Sequence, residues 1–300
     1  MIPAPFEYHR AASLDEASRL LRELGEEAQV LAGGQSLIPL MKLRLARPAA
    51  LVDLNHIPAA AYIEKRDGQL RLGAMTRHAA IEDSPVAAEI PILHDCAAGI
   101  ADVQVRNMGT IGGSVAEADP HGDWAPVLLA LGAEVVTTGP EGERTIPMTQ
   151  FITDAFSTVL RPAELVREIR VPVNAGRSAG AYAAFKRCAP VYPTASAAVQ
   201  VVMMDDDFCQ EARVALGCVS LTPILATEAA AALSGQAITP HAILRAAEAA
   251  MAAADPQPDL RGSAEYKRML VGTLTRRALL AALARARGER VPMGHEYAAL

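Results

Sequence analysis

Two glycine-rich stretches constrain this chain most. The first runs Val30-Leu31-Ala32-Gly33-Gly34-Gln35-Ser36-Leu37 and continues through Pro39 to Met41-Lys42-Leu43-Arg44. The second runs Gly109-Thr110-Ile111-Gly112-Gly113-Ser114-Val115-Ala116 and continues to Ala118-Asp119-Pro120-His121-Gly122-Asp123. Each reads as a buried strand or turn whose glycines let the backbone approach something closely. Gly33 and Gly34 are expected to permit positive φ, and Gly112 and Gly113 to play the same part. Each stretch then offers free backbone N–H groups and a hydroxyl, from Ser36 in the first and from Thr110 and Ser114 in the second. Ser36 is also expected to cap the helix that follows it. N–H groups at a turn or helix start bind phosphate without a cation. Taken singly, each stretch reads equally well as a plain tight turn. Together they suit a ligand with two phosphates, which points to a dinucleotide. Asp119 and Asp123 are wrong for phosphate itself and suit a ribose or ribityl hydroxyl, to which a carboxylate is a strong acceptor. Neither stretch fits the P-loop or the G-x-G-x-x-G pattern, so a P-loop nucleotidase and a Rossmann NAD domain are both disfavoured.

The rest of the chain bounds the reading. A length of 300 residues suits about two domains. Net charge is −6, so no basic balance points to nucleic acid or to an acidic membrane surface. The segment Met1-Ile2-Pro3-Ala4-Pro5-Phe6-Glu7 does not read as a signal peptide, and no apolar run nears the roughly 18 residues of a membrane span. Cys96, Cys188, Cys209 and Cys218 are scattered without C-x-x-C spacing. That pattern fits a reducing cytoplasm and argues against a zinc or iron–sulfur site made by this chain alone.

The first half alternates helix and strand signals. Ser13-Leu14-Asp15-Glu16 is a capping box, followed by an apolar stripe of Ala17, Leu20, Leu21 and Leu24 and a stop at Gly25. Strands are predicted at 28–32, 50–54 and 165–173. Hairpins are predicted over 62–74, around Asp67-Gly68, and over 133–146. Helices are predicted over 36–45, from 79, over 90–100 and over 123–131. Past a loop at 174–180 the pattern changes to strands at 182–187, 195–204 and 211–219, then alanine-rich helices at 240–254 and 263–287. The expected division is therefore 1–176, 177–287 and a tail at 288–300.

As a pair, the two stretches resemble the FAD motifs of one family, the FAD-binding medium subunits of the molybdenum hydroxylases, which include carbon monoxide, xanthine and nicotine dehydrogenase flavoproteins. The resemblance continues in Leu160-Arg161-Pro162-Ala163-Glu164-Leu165, in Tyr182-Ala183-Ala184-Phe185-Lys186-Arg187 and in Gly262-Ser263-Ala264-Glu265-Tyr266-Lys267-Arg268, and so covers essentially the whole chain. It implies an α+β fold. A two-lobed FAD domain of the vanillyl-alcohol-oxidase type would have lobes at about 1–56 and 57–176, followed by a C-terminal α+β domain with an antiparallel sheet and helices.

On that resemblance, Leu31, Ala32, Gly33, Gly34, Gln35, Ser36 and Leu37 face Thr110, Ile111, Gly112, Gly113 and Ser114 across the pyrophosphate. Ala118 and Asp119 lie beside them, and Asp123 sits by the ribityl or ribose hydroxyls. Leu165 and Lys186 approach the isoalloxazine, and Tyr192 lies where relatives place an aromatic over the flavin. The run Cys188-Ala189-Pro190-Val191 departs from the family's pattern just before it. Read without the family, Lys186 is a snorkelling strand-end lysine and Tyr192 a core or rim aromatic. Likewise His121 is a solvated loop residue, Trp124 packs its helix, and Lys42 and Arg44 lie on a solvated face. No His, Cys or Tyr suited to covalent attachment lies at the glycine motifs, so noncovalent FAD is expected, and no metal site on this chain. The resemblance further implies a small partner with 2Fe–2S clusters, a large partner with molybdopterin, and a dimer of heterotrimers. Electrons would pass through FAD to NAD⁺, oxygen, a quinone or another carrier. Two alternatives stay open: a stand-alone FAD oxidase or dehydrogenase of the same fold, and a non-catalytic assembly subunit.

Overall fold

The computed structural model describes residues 2–174, 176–188, 191–204 and 208–293. Among the described residues, three larger sheets, one two-stranded sheet and the helices packed on them make up the fold. The first lobe holds β1 (Glu7–Arg10), α1 (Leu14–Leu24), β2 (Ala28–Leu31), α2 (Leu37–Lys42) and β3 (Ala50–Asp53), its strands parallel in the order β1-β3-β2. The capping box forms as predicted. Ser13 Oγ accepts from the Glu16 N–H, the Glu16 carboxylate reaches back to the Ala12 N–H, and Gly25 ends α1 at φ 74°. The apolar stripe of α1 packs with Val52, Leu54 and Ile57.

The second lobe begins with the hairpin β4 (Ile63–Arg66) and β5 (Gln69–Gly73). Asp67 and Gly68 take positive φ of 53° and 73°, as a tight hairpin turn requires. The helices α3 (His78–Glu82), α4 (Pro91–Gly99), α5 (Val103–Met108), α6 (Ile111–Glu117) and α7 (Trp124–Leu131) follow. After them come β6 (Glu134–Gly139), β7 (Gly142–Pro147), α8 (Met148–Phe151), the short pair β8 (Ile152–Asp154) and β9 (Ser157–Thr158), and β10 (Leu165–Pro172). The long strands form an antiparallel sheet in the order β4-β5-β10-β6-β7. Every residue of α7 is buried, because it is apolar all round and sits between this sheet and the next.

The last region holds β11 (Arg177–Phe185), β12 (Ala195–Met203), β13 (Phe208–Gly217), β14 (Ile224–Leu225), α9 (Thr227–Ala231), β15 (Gln236–Ala237), α10 (Pro240–Ala253) and α11 (Ala264–Ala286). Its sheet is antiparallel; α11 packs on an alanine-rich face of β11 and β12, and α10 packs against α11 and α9. β11 starts five residues before the predicted Tyr182. Arg177–Gly180 pair in register with Gln200–Met203, and their mix of polar and small side chains hides the alternation that marks a strand. Residues 288–293 form neither helix nor strand, and the rest of the predicted tail lies outside the described residues. Tyr182, Ala198 and Ala215 belong to the same apolar cluster as Trp124 and Leu128, so the second lobe and the third sheet share one core.

Candidate functional site

The parallel strand β2 delivers its chain into the first glycine stretch at a lobe boundary, and α5 delivers the second stretch to the same place. The two touch: a Cβ on Gly33 would lie 2.4 Å from the Met108 carbonyl oxygen and 2.7 Å from Gly109 Cα. Gly34 takes the positive φ, 72°, while Gly33 is required for this close approach alone. The contact is braced from behind. Asn55 Nδ2 donates to the Ala32 carbonyl at 2.9 Å and to Asp53, Arg77 Nη2 donates to Asn55 Oδ1 at 2.6 Å, and Arg77 Nη1 donates to the Met108 carbonyl.

The stretches open into one cleft, and their roles differ. Among the described residues, the N–H groups of Gly33, Gly34, Gln35 and Ser36 make no hydrogen bond within the chain. Ser36 corrects one expectation: its backbone is already helical and its hydroxyl does not cap α2. The second stretch corrects another, since it is the beginning of α6 rather than a free loop. Ile111 N–H donates to Thr76, Gly112 N–H to Ala74, and Gly113 N–H to Thr110 Oγ1, so these amides are spent on the protein. Gly112 and Gly113 have helical backbones. A Cβ on Gly112 would strike Ala74 at 2.5 Å, whereas one on Gly113 would lie 2.8 Å from Thr110 Oγ1 and 3.5 Å from Ala32 Cβ.

Ala32, Gly33, Gly34, Gln35, Ser36 and Leu37 line the cleft from one side, and Thr110, Gly113 and Ser114 from the other. Asp119, Asp123, Lys186 and Tyr192 line it further along. Asp123 and Lys186 are brought together. Asp123 accepts from the Tyr182 hydroxyl at 2.8 Å and from Lys186 Nζ at 3.3 Å, and Lys186 Nζ also donates to the Gly99 carbonyl at 2.6 Å. Lys186 is thus a buried, neutralised cation rather than a snorkelling strand end. Burial raises the Asp119 carboxyl, and hydrogen bonds from the His121 side chain and N–H and from Tyr192 overcome it and hold the group below its usual value. Tyr192 stands at the rim, 45% exposed, its ring 6.2 Å from that of His121. Lys42 and Arg44 are exposed, as read.

Five predicted residues do not line the cleft. Leu165 lies in the small core with Val52 and Leu54, because β10 turns its first side chain toward α1. Ile111 is fully buried in the second-lobe core, and Gly112 is pressed on Ala74. Leu31 ends β2, and its carbonyl accepts from the Leu54 N–H. Ala118 ends α6 in the left-handed region at φ 50°, and its carbonyl accepts from Phe156.

Sequence reasoning missed His78, Val105 and Glu117 on the cleft wall. Nothing in the sequence joins His78 to Trp124, 46 positions away, yet the indole N–H donates to His78 Nδ1 at 3.1 Å. Burial, aided by Arg77 and Arg106, pushes the His78 imidazole from 6.5 down to about 4. The unfolded chain takes up this proton below pH 6.5 and the folded chain resists it. The stability linked to His78 is therefore complete above pH 6.5 and lost as pH falls toward 4. Over that window, wild type is expected to lose roughly 3 kcal/mol more unfolding free energy than His78→Phe. Urea titrations at several pH values check this, and parallel curves would contradict it.

These features define a two-lobed flavoprotein domain with a second α+β domain behind it. A family model described as the FAD binding domain in molybdopterin dehydrogenase matches residues 4–174. A second, the CO dehydrogenase flavoprotein C-terminal domain, matches residues 180–282. The chain is 39% identical to the 6-hydroxypseudooxynicotine dehydrogenase complex subunit alpha of Paenarthrobacter nicotinovorans, over 98% of this chain and 100% of that one. It is 42% identical to the carbon monoxide dehydrogenase medium chain of Afipia carboxidovorans, over 96% of this chain and 100% of that one. A solved carbon monoxide dehydrogenase from Hydrogenophaga pseudoflava, lacking the Mo-pyranopterin moiety, superposes with a TM-score of 0.92 at 42% identity, covering 95% of this chain and 99% of that one. The chain belongs to the FAD-binding medium subunits of the molybdenum hydroxylases, and it is an oxidoreductase subunit whose cofactor is FAD. Among the described residues, no helix is long and apolar enough to cross a membrane.

Proposed function

We propose that this chain binds FAD noncovalently in the cleft between the two glycine stretches. There it receives electrons from 2Fe–2S clusters on a small partner, which draws them from a molybdopterin partner, and passes them to an external acceptor such as NAD⁺, oxygen or a quinone. The observation that carries this reading is the asymmetric cradle. Four N–H groups at 33–36 that bond to nothing in the chain line one cleft with Gly113 and Ser114, and Gly113 puts no side chain into it. Those donors suit a diphosphate, and the glycine floor admits it. When bound, the flavin supplies the redox chemistry, and the chain contributes position and charge. The amides of 33–36 and the Ser114 hydroxyl hold the diphosphate, Asp119 accepts from a sugar hydroxyl, and the Lys186–Asp123 pair fixes the charge of the deep wall. Tyr192 shields the rim.

The same reading places the domain division at 176/177 and the protein in a dimer of heterotrimers. It also places the protein in the cytoplasm, in keeping with four cysteines that form no disulfide. The test uses the native complex isolated through this chain, with FAD stripped and then restored. Stripping is expected to abolish reduction of the external acceptor while substrate still bleaches the partner's iron–sulfur bands. Readdition is expected to restore turnover. Undiminished turnover without FAD, or turnover by the isolated chain, would contradict the reading.

A further inference from the structure

We propose that His78 is a further FAD-binding residue: a neutral imidazole, locked in one tautomer by Trp124, that donates its Nε2–H to an acceptor atom of the bound dinucleotide beside Gly109. The proposal rests on the cleft being the FAD site.

His78 opens α3 and is only 5% exposed, yet it forms part of the cleft wall. Its Nδ1 faces the Trp124 indole nitrogen at 3.1 Å. An indole N–H can only donate, so Nδ1 must accept, and the proton of the neutral ring must sit on Nε2. The Nε2–Cδ2 edge then turns to Gly109, where a Cβ would stand 2.7 Å from Nε2 and 2.8 Å from Cδ2. Glycine at 109 therefore leaves this edge uncovered, and Gly109 itself lines the cleft. Among the described residues, no acceptor within hydrogen-bonding distance serves Nε2. The Nε2 atom is not among the fully buried polar atoms left without a partner, so it keeps access to the cleft, where an acceptor can reach it.

The surroundings keep this donor neutral. Burial, Arg77 next to it in sequence and Arg106 on α5 all disfavour the protonated ring, and Trp124 on α7 brings no charge. The hydrogen bond therefore forms without a change of charge near neutral pH. Lys186 differs, since its cation is already committed to Asp123 and the Gly99 carbonyl.

The test is ¹⁵N NMR of the deuterated full chain, before and after FAD is added. In both states His78 is expected to carry its proton on Nε2. FAD is expected to shift that N–H downfield and slow its exchange, together with the amides of 33–36. His78→Phe is expected to bind FAD about tenfold more weakly, the size of one hydrogen bond. Trp124→Phe, which frees the tautomer, is expected to shrink the FAD-dependent shift. If the amides of 33–36 respond while the His78 N–H does not, this inference falls and the cleft reading stands. If FAD binds and neither responds, the cleft reading falls with it. Should His78→Phe fail to fold, the wild-type spectra decide alone.

Discussion

Replacing Gly33 by alanine is expected to give a chain that no longer retains FAD. The added Cβ would stand 2.4 Å from the Met108 carbonyl oxygen and 2.7 Å from Gly109 Cα, and both are backbone atoms. Neither can swing aside as a flexible side chain would. The two stretches must part, and the Arg77 and Asn55 bonds that hold the Met108 and Ala32 carbonyls must stretch with them. The cradle depends on the distance between the amides of 33–36 and the wall formed by Gly113 and Ser114. A displacement near one ångström is expected to weaken FAD binding on the order of 100-fold. The forced contact is also expected to cost roughly 1–3 kcal/mol of stability. The flavin-to-protein absorbance ratio and a urea curve read the two effects separately. A Gly33→Ala chain with a full complement of FAD would contradict the contact between the stretches.

The largest effect on stability is expected from Arg285→Ala. Asp95 on α4 is 2% exposed, and Arg285 on α11 meets it with Nη1 at 2.6 Å and Nη2 at 2.8 Å. The same guanidinium donates to the Gly180 carbonyl at 2.8 Å, and the Tyr182 N–H donates to Asp95. Burial still wins over these partners and raises the Asp95 carboxyl above its ordinary value. Removing Arg285 leaves that carboxylate in the core with one backbone N–H. Breaking such a pair is expected to cost about 3–5 kcal/mol. A second change, Asp95→Asn, is expected to recover part of it, because the stranded charge goes. Urea unfolding measures both, and a loss below about 1 kcal/mol for Arg285→Ala would contradict the role assigned to this pair.

Local chemistry was legible in the sequence. The capping box at Ser13, the stop at Gly25 and the turn at Asp67-Gly68 depend on neighbours within a few residues, and each formed as read. Open amides were legible at 33–36 and misleading at 111–113. The second set is consumed by carbonyls of Ala74 and Thr76 and by the Thr110 hydroxyl, and the first two acceptors are set by tertiary packing. Leu165 lies off the cleft wall for a related reason. A motif gives the strand entry, but the face its first side chain takes depends on where α1 packs. Lys186 and Asp123 carried separate expectations, and only the fold brings them into one ion pair. His78 left no trace, because its meaning comes from Trp124 and Gly109, both more than thirty residues away.

The most direct measurement is the absorption spectrum of the purified chain before and after acid precipitation, with Gly33→Ala alongside. The account predicts flavin bands in the wild type, their passage into the supernatant as released FAD, and their absence from the variant. A colourless wild-type chain that takes up no added FAD would contradict the central claim, and so would a flavin that stays with the precipitated protein.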